Sequence, residues 1–218
     1  MKFDPFGQAS AYLSEELLHR IIRLFMTVLL GVFLLHRLQQ YNLFAVKGLW
    51  LAESTLFIVL ISAYLLRSAP VSRSRGVYEI IIPLIGSALP FLLLISPPSP
   101  LVTTNIKLLY GLLWWMTAAT ALTVWGMWAL RSSFSITVEA RKLVTTAPYR
   151  FIRHPVYLGE ILAAASVAII RLSPQGIIIL FIFIAIQLYR TRMEEKKLVS
   201  VFPEYKTGLA KSIWLWRL

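Results

Sequence analysis

The chemically richest stretch of the chain is the segment 147–160, which lies between two long apolar runs. It holds two cations, an imidazole, a phenol and a carboxylate, namely Arg150, Arg153, His154, Tyr157 and Glu160. Pro155 disfavours the helical region for the residue before it and suits the first position of a helix, so we expect a helix to begin there. A helix N-terminus beside cationic side chains suits an anionic group. Taken alone, the pattern is equally typical of a positively charged cytoplasmic loop beside a transmembrane helix.

A second group of charged residues follows the last apolar run, in the segment 189–197. Arg190 and Glu194 are four residues apart and share a helix face, and Glu195 follows directly. Alone, this could be a surface ion pair worth less than about 1 kcal/mol. The apolar runs 156–170 and 176–189 read as a tight helical hairpin, which would return the second group to the first. Cations that bind a carboxylate and acids that bind an amine or ribose hydroxyls would then form one site for a small zwitterion.

The composition indicates a membrane protein. The 218 residues are 58% hydrophobic with a mean hydropathy of +0.71, which excludes an ordinary soluble domain and a disordered chain. Twenty-two basic and 10 acidic residues give a net charge of +12. Because the basic residues lie between apolar runs, this charge favours contact with anionic lipids rather than nucleic acid. The chain has no cysteine and its histidines lack metal-ligand spacing, so we expect no metal site.

Six apolar segments are predicted to form helices that cross the membrane: 17–38, 43–66, 80–95, 106–130, 156–170 and 176–189. The predicted fold is an all-α, polytopic transmembrane bundle that ends in a helical hairpin and an amphipathic cytoplasmic tail. Positive charge is concentrated in the fourth connection, in the tail and in the second connection, which holds Arg67, Arg73 and Arg75. The positive-inside rule then places both termini and the segment 147–160 in the cytoplasm. Glu53, a carboxylate in mid-segment, is expected either to contact a substrate or to pair with a polar group on a neighbouring helix.

Two runs of sequence, 143–160 and 190–206, together resemble the isoprenylcysteine carboxyl methyltransferase family, and related phospholipid methyltransferases share much of the pattern. The family's arginine-histidine-proline-x-tyrosine-x-glycine motif is matched by Arg153, His154, Pro155, Tyr157 and Gly159. Its paired glutamates and its aromatic-glutamate-tyrosine tail are matched by Glu194, Glu195, Phe202, Glu204 and Tyr205. The resemblance covers about the C-terminal third of the chain, residues 131–211.

This resemblance implies a polytopic methyltransferase that binds S-adenosylmethionine on its cytoplasmic side. It implies that residues of both runs surround the cofactor: Arg153, His154, Tyr157, Gly159, Glu194 and Glu195. It also implies that Arg190 or Arg192 faces the methyl-accepting group. Methyl transfer from a sulfonium needs no metal, so positioning and exclusion of water do most of the work. An arginine would orient a carboxylate acceptor, whereas an amine would need a base such as Glu160 or Glu194.

The two parts of the chain are expected to have different roles. Residues 1–130 would form the lipid-facing helices on the acceptor side, and residues 131–218 the cofactor-binding region. The acceptor would be lipophilic, either an isoprenoid or prenyl carboxylate or a phospholipid-type headgroup, and the oligomeric state stays open.

Two other functions fit part of the pattern. Membrane steroid and sterol reductases carry a similar histidine-proline-x-tyrosine-x-glycine motif followed by an acidic residue, as Glu160 is here, and they bind NADPH. A non-catalytic membrane scaffold is the second alternative, and no inverted repeat supports a transporter.

Overall fold

The computed structural model describes residues 15–66, 71–72, 74, 78–135 and 138–205, and all regular elements within these ranges are helices. The predicted all-α class is therefore confirmed for the described residues. The helices are α1 (Glu15–Gln39), α2 (Lys47–Leu65), α3 (Tyr78–Leu92), α4 (Pro100–Thr103), α5 (Ile106–Leu130), α6 (Pro155–Arg171) and α7 (Pro174–Val201). Short 3-10 turns occupy Tyr41–Leu43, Arg131–Ser133 and Ala147–Arg150.

Local chemistry sets the helix boundaries. Helix α6 begins at Pro155, as the proline predicts. The Asn105 side chain accepts a hydrogen bond from the Leu108 amide at 3.1 Å and caps α5. In the same way, Ser173 Oγ accepts from the Gly176 amide at 3.0 Å and caps α7. Helix α7 continues beyond the apolar run 176–189 to Val201, and no helix-breaking residue occurs before Pro203.

Three of the described helices are long and apolar enough to cross a membrane: Lys47–Leu65, the stretch Ile106–Ser133 and Pro174–Val201. Helix α3 is apolar but shorter. Large apolar side chains such as Phe25, Phe91 and Phe181 are exposed on the outer surface, which suits a lipid environment. These features indicate an integral membrane protein, while the number of six crossing segments stays a prediction.

The helices pack in the order α1, α2, α5, α6, α7 and α3. One buried cluster joins α2, α5 and α6 and consists of Val59, Met127 and Val156. A second cluster lies further along α6 against α7 and consists of Leu93, Ala164, Ala168 and Phe183. Helix α6 therefore lies in the middle of the bundle, with α5 on one side and α7 on the other.

Glu53 pairs with a neighbouring helix, which is one of the two predicted outcomes. Its Oε2 lies 3.1 Å from Arg37 Nε on α1. This ion pair joins α1 to α2 and gives the intramembrane carboxylate a partner.

Several connections meet at the end of the bundle where α6 begins. The backbones of Ser72 and Ala140 form an isolated antiparallel bridge. Lys197 on α7 donates hydrogen bonds to the Glu79 carboxylate at the start of α3 and to the Val138 carbonyl. The connection before α3, the segment 138–145 and the end of α7 therefore share one end of the bundle. Two parts of the predicted cytoplasmic surface lie outside the described residues. They are the arginines of the second connection, Arg67, Arg73 and Arg75, and the tail beyond residue 205.

Candidate active site

The start of α6 and the last turns of α7 lie side by side, so the structure brings the two charged groups of the sequence together. His154 Nε2 lies 2.9 Å from Glu195 Oε1, and Arg153 Nη1 lies 3.6 Å from the same oxygen. Arg153, His154 and Glu195 are 7%, 5% and 0% exposed. A buried carboxylate is tolerable only when cations or hydrogen-bond donors surround it, and these two side chains meet that requirement.

One residue away, Glu194 takes part in a different contact. The Tyr157 hydroxyl donates a hydrogen bond to the Glu194 carboxylate. The Arg190 guanidinium lies over the Tyr157 ring, 4.8 Å from its centroid, in a cation–π contact. Tyr157 therefore contacts both the Glu194 carboxylate and the Arg190 cation, which lie one turn apart on α7.

A third contact lies deeper in the bundle. Gln187 donates a hydrogen bond from Nε2 to Glu160 on α6, and its Oε1 accepts one from Arg190 Nη1 at 2.8 Å. Gln187 is 0% exposed. The sequence analysis did not single out this residue, although a glutamine three positions before Arg190 in an apolar run was a usable signal.

A cavity of about 310 Å³ lies among these side chains. Its volume is at the lower end of the range for small-molecule sites. Its acidic lining residues are Glu139, Glu160, Glu194 and Glu204, and its basic ones are Arg141, Lys142, Arg150, Arg153, Arg190 and Lys197, with the imidazole of His154 beside them. Tyr149, Tyr157 and Tyr205 add aromatic surface, and Leu130, Phe134 and Val156 add apolar surface. This mixture of charges suits a ligand that carries both signs of charge.

The cavity has an outer and an inner end. Helix α6 runs into the bundle from this end and α7 runs out of it. Glu160 therefore lies about 7.5 Å deeper than Pro155, and Arg190 about 6 Å deeper than Glu194, at 1.5 Å per helical residue. We define the inner end by Glu160 and Arg190. The outer end comprises the lining residues Glu194, Glu204 and Tyr205 and those that precede α6, namely Tyr149, Arg150 and Arg153.

Two tyrosines at the outer end keep their protons at neutral pH. Burial raises the pKa of the Tyr149 hydroxyl, and the Glu194 carboxylate raises it further. Burial also raises the pKa of Tyr205, with Glu195 and Glu194 adding to the shift. Both phenols can therefore act as neutral hydrogen-bond donors to a ligand.

This geometry lies within a region that matches a known family. The model of the Isoprenylcysteine carboxyl methyltransferase (ICMT) family matches residues 112–200. The resemblance is thereby confirmed. No curated protein and no solved structure matches the chain. The ICMT match covers most of α5 and α7 and all of α6, and together with the membrane-length helices it indicates a membrane methyltransferase.

Within the ICMT match, two motif residues lie away from the cavity. A Cβ atom on Gly159 would lie 2.2 Å from Thr123 Oγ1 and 2.7 Å from the Ala119 carbonyl oxygen. Gly159 is thus required for the close packing of α6 on α5, and it does not line the cavity, where the sequence analysis expected it to approach the cofactor. Glu195 is also absent from the lining and supports the site through its contacts with His154 and Arg153.

The two candidate arginines of the ICMT-like tail also differ in position. Arg190 is buried and lines the inner end of the cavity, whereas Arg192 is exposed and does not line it. Residues two positions apart on a helix are rotated by about 200° around its axis, so the two side chains leave α7 in nearly opposite directions. Of the pair predicted to face the acceptor, only Arg190 has access to the cavity.

The segment 138–145 forms a wall of the cavity. The sequence analysis placed it in the polar connection before α6 and counted residues from 143 onward in the run that resembles the family, but it named no site residue there. The Arg141 side chain forms an ion pair with Glu139, and both side chains are largely buried. Lys197 binds the Val138 carbonyl and so ties this wall to α7. The contact between Lys197 and Val138 joins parts of the chain 59 residues apart, so no local motif signals it. Among the described residues, no group of three or more histidine and acidic side chains could hold a metal ion.

Proposed function

We propose that this protein is an integral-membrane, S-adenosylmethionine-dependent methyltransferase that acts on a lipophilic acceptor. The observation that carries the proposal is the mixed-charge cavity between the start of α6 and the end of α7, inside the ICMT match. Methyl transfer needs a donor and an acceptor held in line and shielded from water, and a cavity between helices suits that requirement.

The residues at the outer end fit the donor. S-adenosylmethionine carries a carboxylate, an ammonium group and ribose hydroxyls. Arg150 and Arg153 would bind the carboxylate, while Glu194 and Glu204 would bind the ammonium group or the hydroxyls. Tyr205 adds an aromatic surface and a neutral hydroxyl. His154 lines the cavity and would contact the donor, whereas Glu195 would act indirectly by holding Arg153 and His154 in place.

When bound, S-adenosylmethionine supplies a methyl group on a sulfonium, which a nucleophilic atom takes while the sulfur keeps the electron pair of the broken bond. The inner end of the cavity would hold the acceptor. Arg190 would orient a carboxylate, and Glu160 would accept the proton of an amine. The acceptor is an isoprenoid or prenyl carboxylate or a phospholipid-type headgroup.

The rest of the chain would serve this reaction. We assign residues 1–130 to the lipid-facing acceptor side and residues 131–218 to cofactor binding. The distribution of basic residues supports a cytoplasmic location for the site and for both termini.

Binding of the donor provides the direct test. Detergent-purified protein is titrated with labelled S-adenosylmethionine and, in parallel, with NADPH, and methyl incorporation into a lipid extract is then measured. We expect binding of the sulfonium donor only, with the labelled methyl group in a lipid product. Tyr189→Phe serves as a matched control, because Tyr189 is 47% exposed on α7 and does not line the cavity. Binding of NADPH alone would support the reductase alternative, and binding of neither would support a scaffold.

A further inference from the structure

Gln187 has an environment that packing alone does not require. It is fully buried in α7, in a stretch whose preceding residues are mostly apolar. Its amide connects two charged side chains from different helices, with Nε2 donating to Glu160 and Oε1 accepting from Arg190. An amide side chain carries no charge and can donate to an acid and accept from a cation at the same time.

The contacts around this bridge fix the positions of both charged groups. Arg190 is also held by the Tyr157 ring, with Glu194 nearby. On the α3 side, Gly86 leaves room for Arg190, because a Cβ there would lie 3.2 Å from its Cδ. Glu160 is held by Gln187, and both Glu160 and Arg190 line the cavity. The amide thus reduces the tendency of the acid and the cation to pair with each other instead of with a ligand.

We propose that Gln187 is a positioning residue for the methyl acceptor. It holds Glu160 and Arg190 at the inner end of the cavity so that both side chains face the acceptor's polar group. This inference rests on the proposed methyltransferase function. Gln187 lies about 4.5 Å deeper along α7 than Arg190 and deeper still than Glu194, so its loss should affect the acceptor and spare the donor.

The first variant removes the bridge. Gln187→Leu keeps the approximate volume but eliminates both hydrogen bonds, so Glu160 and Arg190 can move towards each other. The probes are tritiated S-farnesylcysteine in detergent and phosphatidylethanolamine in mixed micelles, and binding of each is measured by equilibrium dialysis without donor. We expect Gln187→Leu to weaken binding of the probe that the wild type binds by about 10- to 100-fold, as for hydrogen bonds to charged groups. The Kd of S-adenosylmethionine should stay within about two-fold of the wild-type value.

A second variant separates positioning from packing. Gln187→Glu keeps an acceptor for Arg190 but sets a second carboxylate against Glu160. Its binding of the acceptor probe should rise as the pH falls, because protonation of either carboxylate restores a donor between them. A residue with only a packing role would show no such pH profile. Phe183→Leu is the matched control, because Phe183 is equally buried on α7 but does not line the cavity. It should lower stability and leave binding of the acceptor probe unchanged.

The outcomes are distinguishable from those for the proposed function. If the wild type binds neither probe, or if Gln187→Leu binds the probe as the wild type does, the positioning role is wrong. A parallel loss of S-adenosylmethionine binding in Gln187→Leu would also overturn it, because the effect would then be a general collapse of the site. Failure of the wild type to bind S-adenosylmethionine would instead refute the methyltransferase proposal.

Discussion

Glu194 and Glu195 are neighbours in the sequence, yet the structure predicts opposite consequences when either is changed. Glu195 is fully buried against His154 and Arg153. Glu194 lines the cavity and accepts a hydrogen bond from Tyr157. Replacing each glutamate with glutamine removes the charge and keeps the shape. We expect Glu195→Gln to destabilise the protein and Glu194→Gln to weaken binding of the donor.

The magnitudes follow from these two environments. Removing the charge of Glu195 leaves the buried Arg153 cation without its carboxylate, and breaking a buried pair in this way costs about 3–5 kcal/mol. For a chain of this size that corresponds to a fall in Tm of roughly 6–20 °C. Glu194→Gln still offers an oxygen to Tyr157, so its stability cost should be below about 1 kcal/mol. The loss of a charge-assisted bond to the donor should raise the Kd of S-adenosylmethionine about 10- to 150-fold.

The assay measures both quantities on the same detergent preparations. Thermal unfolding is followed for the wild type and the two variants, and labelled S-adenosylmethionine is titrated into each well below its Tm. The reasoning predicts a crossed pattern, with Glu195→Gln unstable and Glu194→Gln stable but weak in binding. Equal thermal stability of the two variants, or unaltered donor binding by Glu194→Gln, would refute the assignment of the two side chains.

Two further predictions concern packing between helices. Gly159→Ala should lower the unfolding free energy by about 1–3 kcal/mol, because its Cβ would overlap Thr123, whereas Gly111→Ala, with nothing within 4 Å, should be neutral or stabilising. Equal Tm values for these two variants would contradict the close α5–α6 contact. A double-mutant cycle of Arg37→Met and Glu53→Gln, read by thermal unfolding, should give a favourable coupling of about 0.5–3 kcal/mol across α1 and α2. A coupling of zero would mean that the ion pair contributes nothing.

The sequence by itself predicted several of the long helices and the residue types that the candidate site contains. Apolar length predicted α5 at Ile106–Leu130, and Pro155 predicted the start of α6. These features are local, since hydropathy and proline geometry act within a few residues along the chain. The two charged groups were equally visible, and the spacing of the apolar runs between them predicted that they would meet.

Only the tertiary structure decided what each side chain does within that site. Gly159 faces α5, Arg192 points away from the cavity, and Glu195 supports the site from behind while Glu194 lines it. The role of Gln187 could be inferred only from the structure, in which Glu160 on another helix accepts its hydrogen bond. The physical reason is that a helix places its side chains all around its axis. Which of them face a cavity depends on the rotation of the helix against its neighbours, and packing contacts between residues distant in sequence set that rotation.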